Sequence, residues 1–118
     1  MFKKIVLLLF FTLFGSVTTQ ANTKSEIDHL LNYVQTTQCT YLRNGDAHTG
    51  KEAAAHIQKK YDYFKEDIGS AEDFIRLSAS KSTMTGSKYY IQCPGAPRIE
   101  SSKWLTKELY HYRKMEKK

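Results

Sequence analysis

The sequence predicts an α+β fold: a helix-rich single domain of about four helices, with a short two-stranded antiparallel sheet linked by one disulfide. Two observations support this class. Apolar residues recur at spacings of three and four in several segments, which is typical of amphipathic helices. Two short segments rich in β-branched and aromatic residues, which favour strands, each contain one of the two cysteines, Cys39 and Cys93.

The N-terminal residues 1–21 have the layout of a secretory signal peptide. Lys3 and Lys4 precede an apolar segment at residues 5–14, and a stretch of small and polar residues then ends at Ala21. The apolar segment is shorter than the ~20 residues that a membrane-spanning helix needs. We therefore expect cleavage after Ala21, export of residues 22–118 as one α+β domain, and no membrane span after signal cleavage.

The two cysteines are expected to form a structural disulfide, because an exported chain meets an oxidising environment. A Cys39–Cys93 bond would close a loop of roughly 55 residues, for which chain entropy gives about 4 kcal/mol of stabilisation. Two free thiols or a catalytic cysteine are the alternatives. A catalytic cysteine needs a low pKa and a partner base, and neither is indicated near these positions.

The first two helices are predicted from capping boxes, in which a threonine side chain and a glutamate three residues later satisfy free backbone amides. Thr23 and Glu26 form one such pair, ahead of an apolar helical stripe. Thr49 and Glu52 form the second pair and open the longest helix. Gly69 is expected to end that helix in a left-handed conformation, because glycine has no Cβ to clash there.

Two short strands are predicted from composition. Residues 39–42 carry β-branched and aromatic side chains, as do residues 88–93, which precede the strand-breaking pair Pro94-Gly95. Asn44-Gly45 after the first strand is a turn signal, because both residues tolerate positive φ angles. If the disulfide forms, the two strands must lie side by side, since the Cα atoms of bridged cysteines lie within about 7 Å of each other.

The last two helices are predicted from serine N-caps, whose hydroxyls accept a hydrogen bond from a free backbone amide. Ser70 is expected to cap a short helix over residues 71–79. Ser101 or Ser102 is expected to cap a final helix, whose basic last turn suits the negative end of the helix dipole.

Four spaced blocks of the sequence form a recognisable combination. They are Arg43-Asn44-Gly45-Asp46-Ala47-His48 with Glu52-Ala53 and His56, then Ser70-Ala71-Glu72 with Phe74-Ile75, then Ala79-Ser80-Lys81-Ser82, and finally Thr85-Gly86 followed by Tyr89. In this combination the chain resembles the YfeK-like family, a group of small exported bacterial proteins classed as a domain of unknown function. The resemblance extends over residues 26–113. It implies a Gram-negative bacterium and a periplasmic location, and it implies no particular activity.

One polar surface is expected to carry any ligand. It combines the turn after the first strand, the start of the long helix and the hydroxyl-rich residues 78–87, where O–H groups near lysines could hold an anion or a glycan. The candidate residues are Arg43, Asp46, His48, Glu52, His56, Ser80, Ser82 and Thr85. Each segment also has an ordinary structural interpretation. The segment after the first strand would be only a tight turn, the start of the long helix only a helix cap, and residues 78–87 only a solvated loop.

His48, Glu52 and His56 stand four residues apart and could place metal-binding side chains along one helix face. His48 precedes the helix cap, however, and Glu52 is expected to take part in the capping box. The spacing also differs from that of the metalloprotease motif. We therefore assign no catalytic residue, no cofactor and no metal site, and keep His48 and His56 only as candidate metal ligands.

The sequence favours a small periplasmic, non-catalytic binding or accessory protein of the cell envelope over an enzyme. One alternative is a metal-binding protein or hydrolase centred on His48, Glu52 and His56. The other is an inhibitor or stress protein with an envelope protein as its partner. We expect no nucleic-acid partner, because the compartment is wrong and the net charge of +4 that remains once Lys3 and Lys4 are removed with the signal peptide is weak evidence without a recognised fold. The ligand, the partner and the oligomeric state are left open.

Overall fold

The computed structural model describes residues 14–117, with side chains described for residues 22–117. Its elements are α1 (Phe14–Gln35), β1 (Thr40–Arg43), β2 (Asp46–His48), α2 (Gly50–Phe64), a 3₁₀ turn (Lys65–Asp67), α3 (Ala71–Ser78), β3 (Tyr90–Gln92), β4 (Ile99–Glu100) and α4 (Ser101–Glu116). The α+β class and the four predicted helices are confirmed for this part of the chain. Residues 1–13 of the predicted signal peptide lie outside the described residues, and cleavage after Ala21 stays a prediction.

The core lies where α1 packs against the other three helices and where the sheet contacts α2 and α4. Its fully buried side chains include Ile27, Leu30 and Val34 of α1, Ile57 of α2, Phe74 of α3, Leu105 and Leu109 of α4, and Tyr41 and Ile91 of the sheet. The three α1 residues recur at helical spacing, as the apolar stripe predicts. Within the described residues, no helix has the length and apolar character needed to cross a membrane.

The sheet has four antiparallel strands in the order β2-β1-β3-β4, so the predicted two-stranded sheet is too small. The predicted pair forms its centre, where Tyr41 of β1 lies opposite Ile91 of β3. The two added strands are three and two residues long. Strands this short carry no readable alternation of apolar and polar residues, which is why the sequence does not reveal them.

The added strand β2 is produced by the predicted Asn44-Gly45 turn. Asn44 has a φ angle of 52° and Gly45 one of 84°, and these positive values suit the two-residue hairpin turn whose twist matches that of the flanking strands. The chain therefore folds straight back, and Asp46 lies opposite Arg43. The turn prediction is confirmed, and its consequence is a hairpin that leads directly into α2.

The predicted disulfide joins Cys39 to Cys93. Each cysteine stands one position beyond the paired residues Thr40 and Gln92, so the bond continues the β1–β3 pairing by one step. The two Cα atoms are 4.3 Å apart, as expected for directly opposed residues of an antiparallel pair. No free cysteine is present among the described residues.

Two predicted caps are confirmed. At the start of α2 the Thr49 N–H donates to Glu52 Oε1 at 2.9 Å, and the Glu52 N–H donates to Thr49 Oγ1 at 3.1 Å, which completes the capping box. At the start of α3 the Ser70 hydroxyl accepts from the Asp73 N–H at 3.1 Å. Both motifs are local, because all their partners lie within four residues along the chain.

The predicted capping box at Thr23 is wrong. Helix α1 already runs from Phe14, so Thr23 lies inside the helix rather than at its end. The Glu26 carboxylate instead accepts two hydrogen bonds from Arg113 of α4, at 2.7 and 3.0 Å. The Glu26 carboxylate therefore forms an ion pair with a distant helix, although the local sequence pattern predicts that it caps its own helix.

Two further predicted helix ends are also wrong. Gly69 does not adopt a positive φ angle, because α2 ends at Phe64 and closes through the 3₁₀ turn; its N–H donates to Asp73 Oδ2 at 3.0 Å. Ser101 is the first residue of α4, not its cap, and Glu100 occupies the cap position without a side-chain bond. Ser101 is fully buried, and its hydroxyl shares a hydrogen bond with the Tyr41 hydroxyl.

Arg113 connects three helices through its guanidinium. Besides Glu26 of α1, it donates to both carboxylate oxygens of Glu72 in α3, at 2.8 and 3.0 Å. These hydrogen bonds lower the pKa of the Glu72 carboxyl. The Glu26 side chain is only 14% exposed, so it relies on Arg113 for its charge partner.

We expect Arg113→Met to lower the free energy of unfolding by about 1–2 kcal/mol, because it leaves the half-buried Glu26 carboxylate unpaired while keeping a stem of similar length. Chemical denaturation measures this difference. The pKa of Glu72 is lowered in the folded state. The stabilisation contributed by the Arg113–Glu72 pair is therefore present above pH 4.5, the ordinary pKa of the carboxyl, and is lost as the pH falls further.

The matched control for this substitution is Arg76→Met. Arg76 pairs with Asp73 within α3, and its side chain is 64% exposed, so its removal should change the unfolding free energy by about 0.5 kcal/mol or less. Equal effects of the two substitutions, or a difference that does not shrink as the pH is lowered below 4.5, would contradict the role assigned to Arg113.

Candidate functional site

A cleft of about 240 Å³ opens where the end of β1, the middle of α2 and residues 82–89 meet. We call it the Arg43 cleft. Its lining residues are Arg43, Asn44, His56, Lys60, Ser82, Thr83, Met84 and Tyr89. Arg43 is the last residue of β1, and His56 and Lys60 stand one helical turn apart on α2. The β1–β2 hairpin and α2 therefore bring two cationic side chains and one imidazole to the same opening.

Tyr89 forms the buried inner wall of the Arg43 cleft. It is 2% exposed, and its hydroxyl lies 3.2 Å from His56 Nε2 and accepts from Lys60 Nζ at 3.4 Å. Lys60 Nζ also donates to the Lys81 carbonyl at 2.6 Å, which ties α2 to the chain before β3. The position of the Lys60 ammonium is thus set by two acceptors rather than by solvent.

Burial and neighbouring positive charges in the Arg43 cleft disfavour the protonated forms of His56 and Lys60. Burial lowers the pKa of Lys60, and the positive charges of Arg43 and Lys81 lower it further. Burial also lowers the pKa of His56, and Arg43 and Lys60 act in the same direction. A histidine whose pKa lies below its ordinary value is mostly uncharged at neutral pH, so Arg43 and Lys60 supply the positive charge there.

The two cations of the Arg43 cleft lack a direct carboxylate partner within the described side chains. Among residues 22–117, neither Arg43 nor Lys60 takes part in an ion pair. Elsewhere on the surface Lys24, Arg76, Lys88, Lys103 and Arg113 each contact an acidic side chain. Other cations of the described surface, such as Lys51, Lys65 and Lys107, also take part in none of these ion pairs, so the distinguishing feature of the Arg43 cleft is that two such cations line one concave opening.

Residues 81–88 form a folded loop at the rim of the cleft, where the sequence predicted a hydroxyl-rich connection. The Ser82 N–H donates to the Ser87 carbonyl at 2.8 Å, and the Gly86 N–H donates to the Ser82 carbonyl at 2.9 Å. The Thr85 hydroxyl donates to Asn44 Oδ1 at 3.3 Å and so connects this loop to the β1–β2 turn. Gly86 has a φ angle of 77°, which the tight return of the chain requires.

The structure divides the predicted ligand surface into separate parts. Arg43, His56 and Ser82 line the Arg43 cleft, and Thr85 supports its rim. His48 and Glu52 instead line a second hollow of about 430 Å³, beside residues 37–40. Asp46 is exposed on β2, and the Ser80 hydroxyl donates to the Ile75 carbonyl at 2.6 Å, where it closes the end of α3.

The candidate metal ligands do not converge. His48 Nδ1 lies 3.9 Å from Glu52 Oε1, whereas His56 faces Tyr89 in the Arg43 cleft. Glu52 is held in the capping box, where the Thr49 backbone N–H lowers its pKa. Within the part of the chain that the structure describes, no group of three or more His, Cys, Asp or Glu side chains is placed to hold a metal ion.

Lys60 and Tyr89 are the site residues that the sequence did not identify. Lys60 could have been found, because it follows His56 by four residues on a predicted helix and so shares its face. Tyr89 could not, since a tyrosine within a predicted strand is expected to be a core residue. Only the fold shows that its hydroxyl contacts both His56 and Lys60.

The fold and the Arg43 cleft define a small disulfide-linked α+β domain that carries a cationic cleft. The chain belongs to the family of unknown function DUF5329, whose family model matches residues 21–113. It is 37% identical over 91 residues to the uncharacterized protein YfeK of Salmonella typhimurium (strain LT2), and this match covers 74% of the present chain and 76% of that protein. The resemblance predicted from the four sequence blocks is thereby confirmed. No solved structure gives a significant match.

Proposed function

We propose that this protein is a non-catalytic binding or accessory protein of the cell envelope, and that the Arg43 cleft holds an anionic group of its ligand. The observation that carries this proposal is that Arg43 and Lys60 line one concave site and form no ion pair with any carboxylate of residues 22–117. A phosphate or carboxylate group there would meet positive charge that the protein itself leaves uncompensated.

The donor chemistry of the two cations supports an oxyanion. The Arg43 guanidinium has a planar fork of N–H donors that matches phosphate and carboxylate oxygens. The Lys60 ammonium has three donors, of which two are directed to the Lys81 carbonyl and the Tyr89 hydroxyl. One Lys60 donor is thus available for a ligand, and its position is already ordered, which reduces the entropy lost on binding.

Other groups in the cleft favour binding over catalysis. The Ser82 hydroxyl accepts from the Thr85 N–H at 3.2 Å, and His56 Nε2 lies 3.2 Å from the Tyr89 hydroxyl. A serine nucleophile would need a base within hydrogen-bonding distance of its own hydroxyl. The serine and the histidine are each engaged with a different group, which suits a preorganised wall better than a nucleophile–base pair.

The envelope location is supported by two features. Residues 1–21 have the signal-peptide layout, and the Cys39–Cys93 disulfide is of a kind that persists in oxidising compartments such as the bacterial periplasm. The proposal therefore includes export. Native protein recovered from the periplasmic fraction should begin at Asn22 by mass spectrometry, and native protein that begins at Met1 in the cytosolic fraction would contradict this part.

Calorimetric titration with glycerol 3-phosphate and with inorganic phosphate tests the ligand class. We expect Arg43→Gln and Lys60→Gln each to weaken binding by about tenfold or more, because each removes one charge-assisted hydrogen bond. Lys107→Gln on α4 is the matched control: it removes the same charge from an exposed site outside the cleft and should leave binding unchanged.

An equal loss in all three variants would indicate a non-specific effect of net charge and would contradict the cleft as the site. Absence of binding by the wild-type protein to either phosphate compound would contradict the anionic ligand class. In that case crosslinking in the periplasm followed by mass spectrometry would test the alternative, an inhibitor or stress protein with a tightly bound protein partner.

A further inference from the structure

We propose that the Arg43 cleft is the centre of a membrane-docking face, and that the anion it holds is the phosphate of an anionic lipid headgroup in a bilayer surface. This inference rests on the proposed function, because it names the source of the anionic group. It draws on two exposed side chains that the cleft by itself leaves unexplained, Met84 and Tyr63, and on the cations that lie beside them.

Met84 is presented to solvent by an ordered loop. It lines the Arg43 cleft, yet its side chain is 96% exposed. The loop around it is closed by two backbone hydrogen bonds between Ser82 and residues 86–87, and it is attached to Asn44 through Thr85. Exposing a large apolar side chain from an ordered loop contributes nothing to folding, so a surface that covers Met84 would account for its position.

Tyr63 extends the same face along α2. It follows Lys59 by four residues and Lys60 by three, and residues at these spacings are neighbours on the surface of a helix. Its side chain is 81% exposed. Tyrosine prefers the boundary between water and a membrane, because its ring is apolar and its hydroxyl stays hydrated. An apolar side chain on the rim loop and an aromatic one on α2 therefore accompany the cations.

The charges near these side chains match an anionic bilayer. Arg43 and Lys60 line the cleft, while Lys59 and Lys81 lie close enough to lower the pKa of His56 and of Lys60, respectively. The neighbouring carboxylates include Asp46 opposite Arg43 on β2, Glu52 in its capping box, and Asp62, which accepts from Gln58. Glu66 and Asp67 follow Tyr63 by three and four residues and are also exposed. None of these five forms an ion pair with the four cations among the described residues.

A lipid surface accounts for more of these features than a free phosphate does. A soluble phosphate ester would occupy the cleft and contact Arg43 and Lys60, but it would leave Tyr63 and most of the exposed Met84 side chain in water. A bilayer with anionic headgroups would supply the phosphate to the cleft and an apolar layer to the two side chains at once.

Sedimentation with lipid vesicles tests the inference, using protein isolated as the cell exports it. We expect binding to vesicles that contain phosphatidylglycerol, little binding to pure phosphatidylcholine, and loss of binding as salt is raised. Met84→Ser should weaken vesicle binding by about tenfold, and Arg43→Gln by about fivefold. Tyr63→Ser should not alter calorimetric binding of glycerol 3-phosphate, because Tyr63 is not among the residues that line the cleft.

Met115→Ser is the matched control, because Met115 is also exposed, at 58%, but lies at the C-terminal end of α4. It should bind vesicles like the wild type. Thermal melts of all variants, whose replaced side chains are exposed or half-buried, verify that each one folds.

The outcomes separate the two proposals. If glycerol 3-phosphate binds in an Arg43-dependent way but the vesicles do not, the docking face is overturned and the proposed function stands. Vesicle binding that Met84→Ser leaves unchanged overturns the docking face as well. If neither the soluble ester nor the vesicles bind, both proposals fail. Capture of a single envelope protein through Met84, without vesicle binding, overturns the membrane assignment in favour of a protein partner.

Discussion

Replacing Cys39 and Cys93 together by alanine should lower the free energy of unfolding by about 4 kcal/mol, the largest effect expected in this chain. The bond closes a loop between residues separated by 54 positions, and its loss frees the unfolded chain to explore many more conformations. In a domain of this size such a change corresponds to a fall in melting temperature of roughly 20 °C. Chemical and thermal denaturation followed by circular dichroism measure the two quantities.

The disulfide's position supports a large effect. It continues the pairing between β1 and β3, the two strands at the centre of the sheet, and their residues Tyr41 and Ile91 are part of the core. The wild-type protein with its disulfide reduced is the control and should unfold like the double variant. A difference of less than about 1 kcal/mol between oxidised and reduced wild type would show that the chain-entropy account does not apply. Non-reducing peptide mapping should recover Cys39 joined to Cys93.

The second large effect is expected for Gly50→Ala, which should lower the free energy of unfolding by about 3 kcal/mol. Gly50 is buried as the first residue of α2, where that helix meets the end of α1. An added Cβ would lie 2.3 Å from the Val34 carbonyl oxygen and 2.9 Å from Thr37 Cγ2. Because the closest atom belongs to the backbone, no rotation of a side chain relieves the clash, and the two helices must move apart.

Gly69→Ala provides the matched control for this prediction. At Gly69 an added Cβ would meet only Asp73 Oδ2, at an ordinary contact distance of 3.7 Å, and the φ angle there is not positive. This variant should be within about 0.5 kcal/mol of wild type, or slightly more stable, because alanine restricts the unfolded chain. If Gly50→Ala unfolds at the same denaturant concentration as Gly69→Ala, the close approach of α1 and α2 at Gly50 is not as described.

The parts of the fold that could be predicted depend on contacts between near neighbours in the chain. The capping box of Thr49 with Glu52, the Ser70 cap and the Asn44-Gly45 turn all have their partners within four residues. The disulfide was predictable for a different reason, since two cysteines allow a single intramolecular pairing. The cap predictions for Glu26 and Ser101 were wrong because a distant residue bonds the polar group instead. Arg113 binds the Glu26 carboxylate, and the Tyr41 hydroxyl bonds the Ser101 hydroxyl.

The candidate site was predictable in part. Arg43, His56 and Ser82 were selected from the sequence and do line one cleft, because the hairpin and α2 follow each other directly along the chain. His48 and Glu52 were selected with them and lie in another hollow, since the helix cap turns the chain between β2 and α2. Whether the Arg43 cleft binds an anion, as proposed, is decided by the titrations described above.

The fold class, the disulfide, the helix starts with local caps and the family membership could all be inferred from the order of residues alone. The four-stranded sheet, the Arg113–Glu26 ion pair and the contacts of Tyr89 with His56 and Lys60 became apparent only in the folded structure. The difference follows from distance along the chain. Caps and turns are formed by neighbouring residues whose geometry the backbone fixes, whereas the pairings across the core depend on how whole elements pack, which no local pattern encodes.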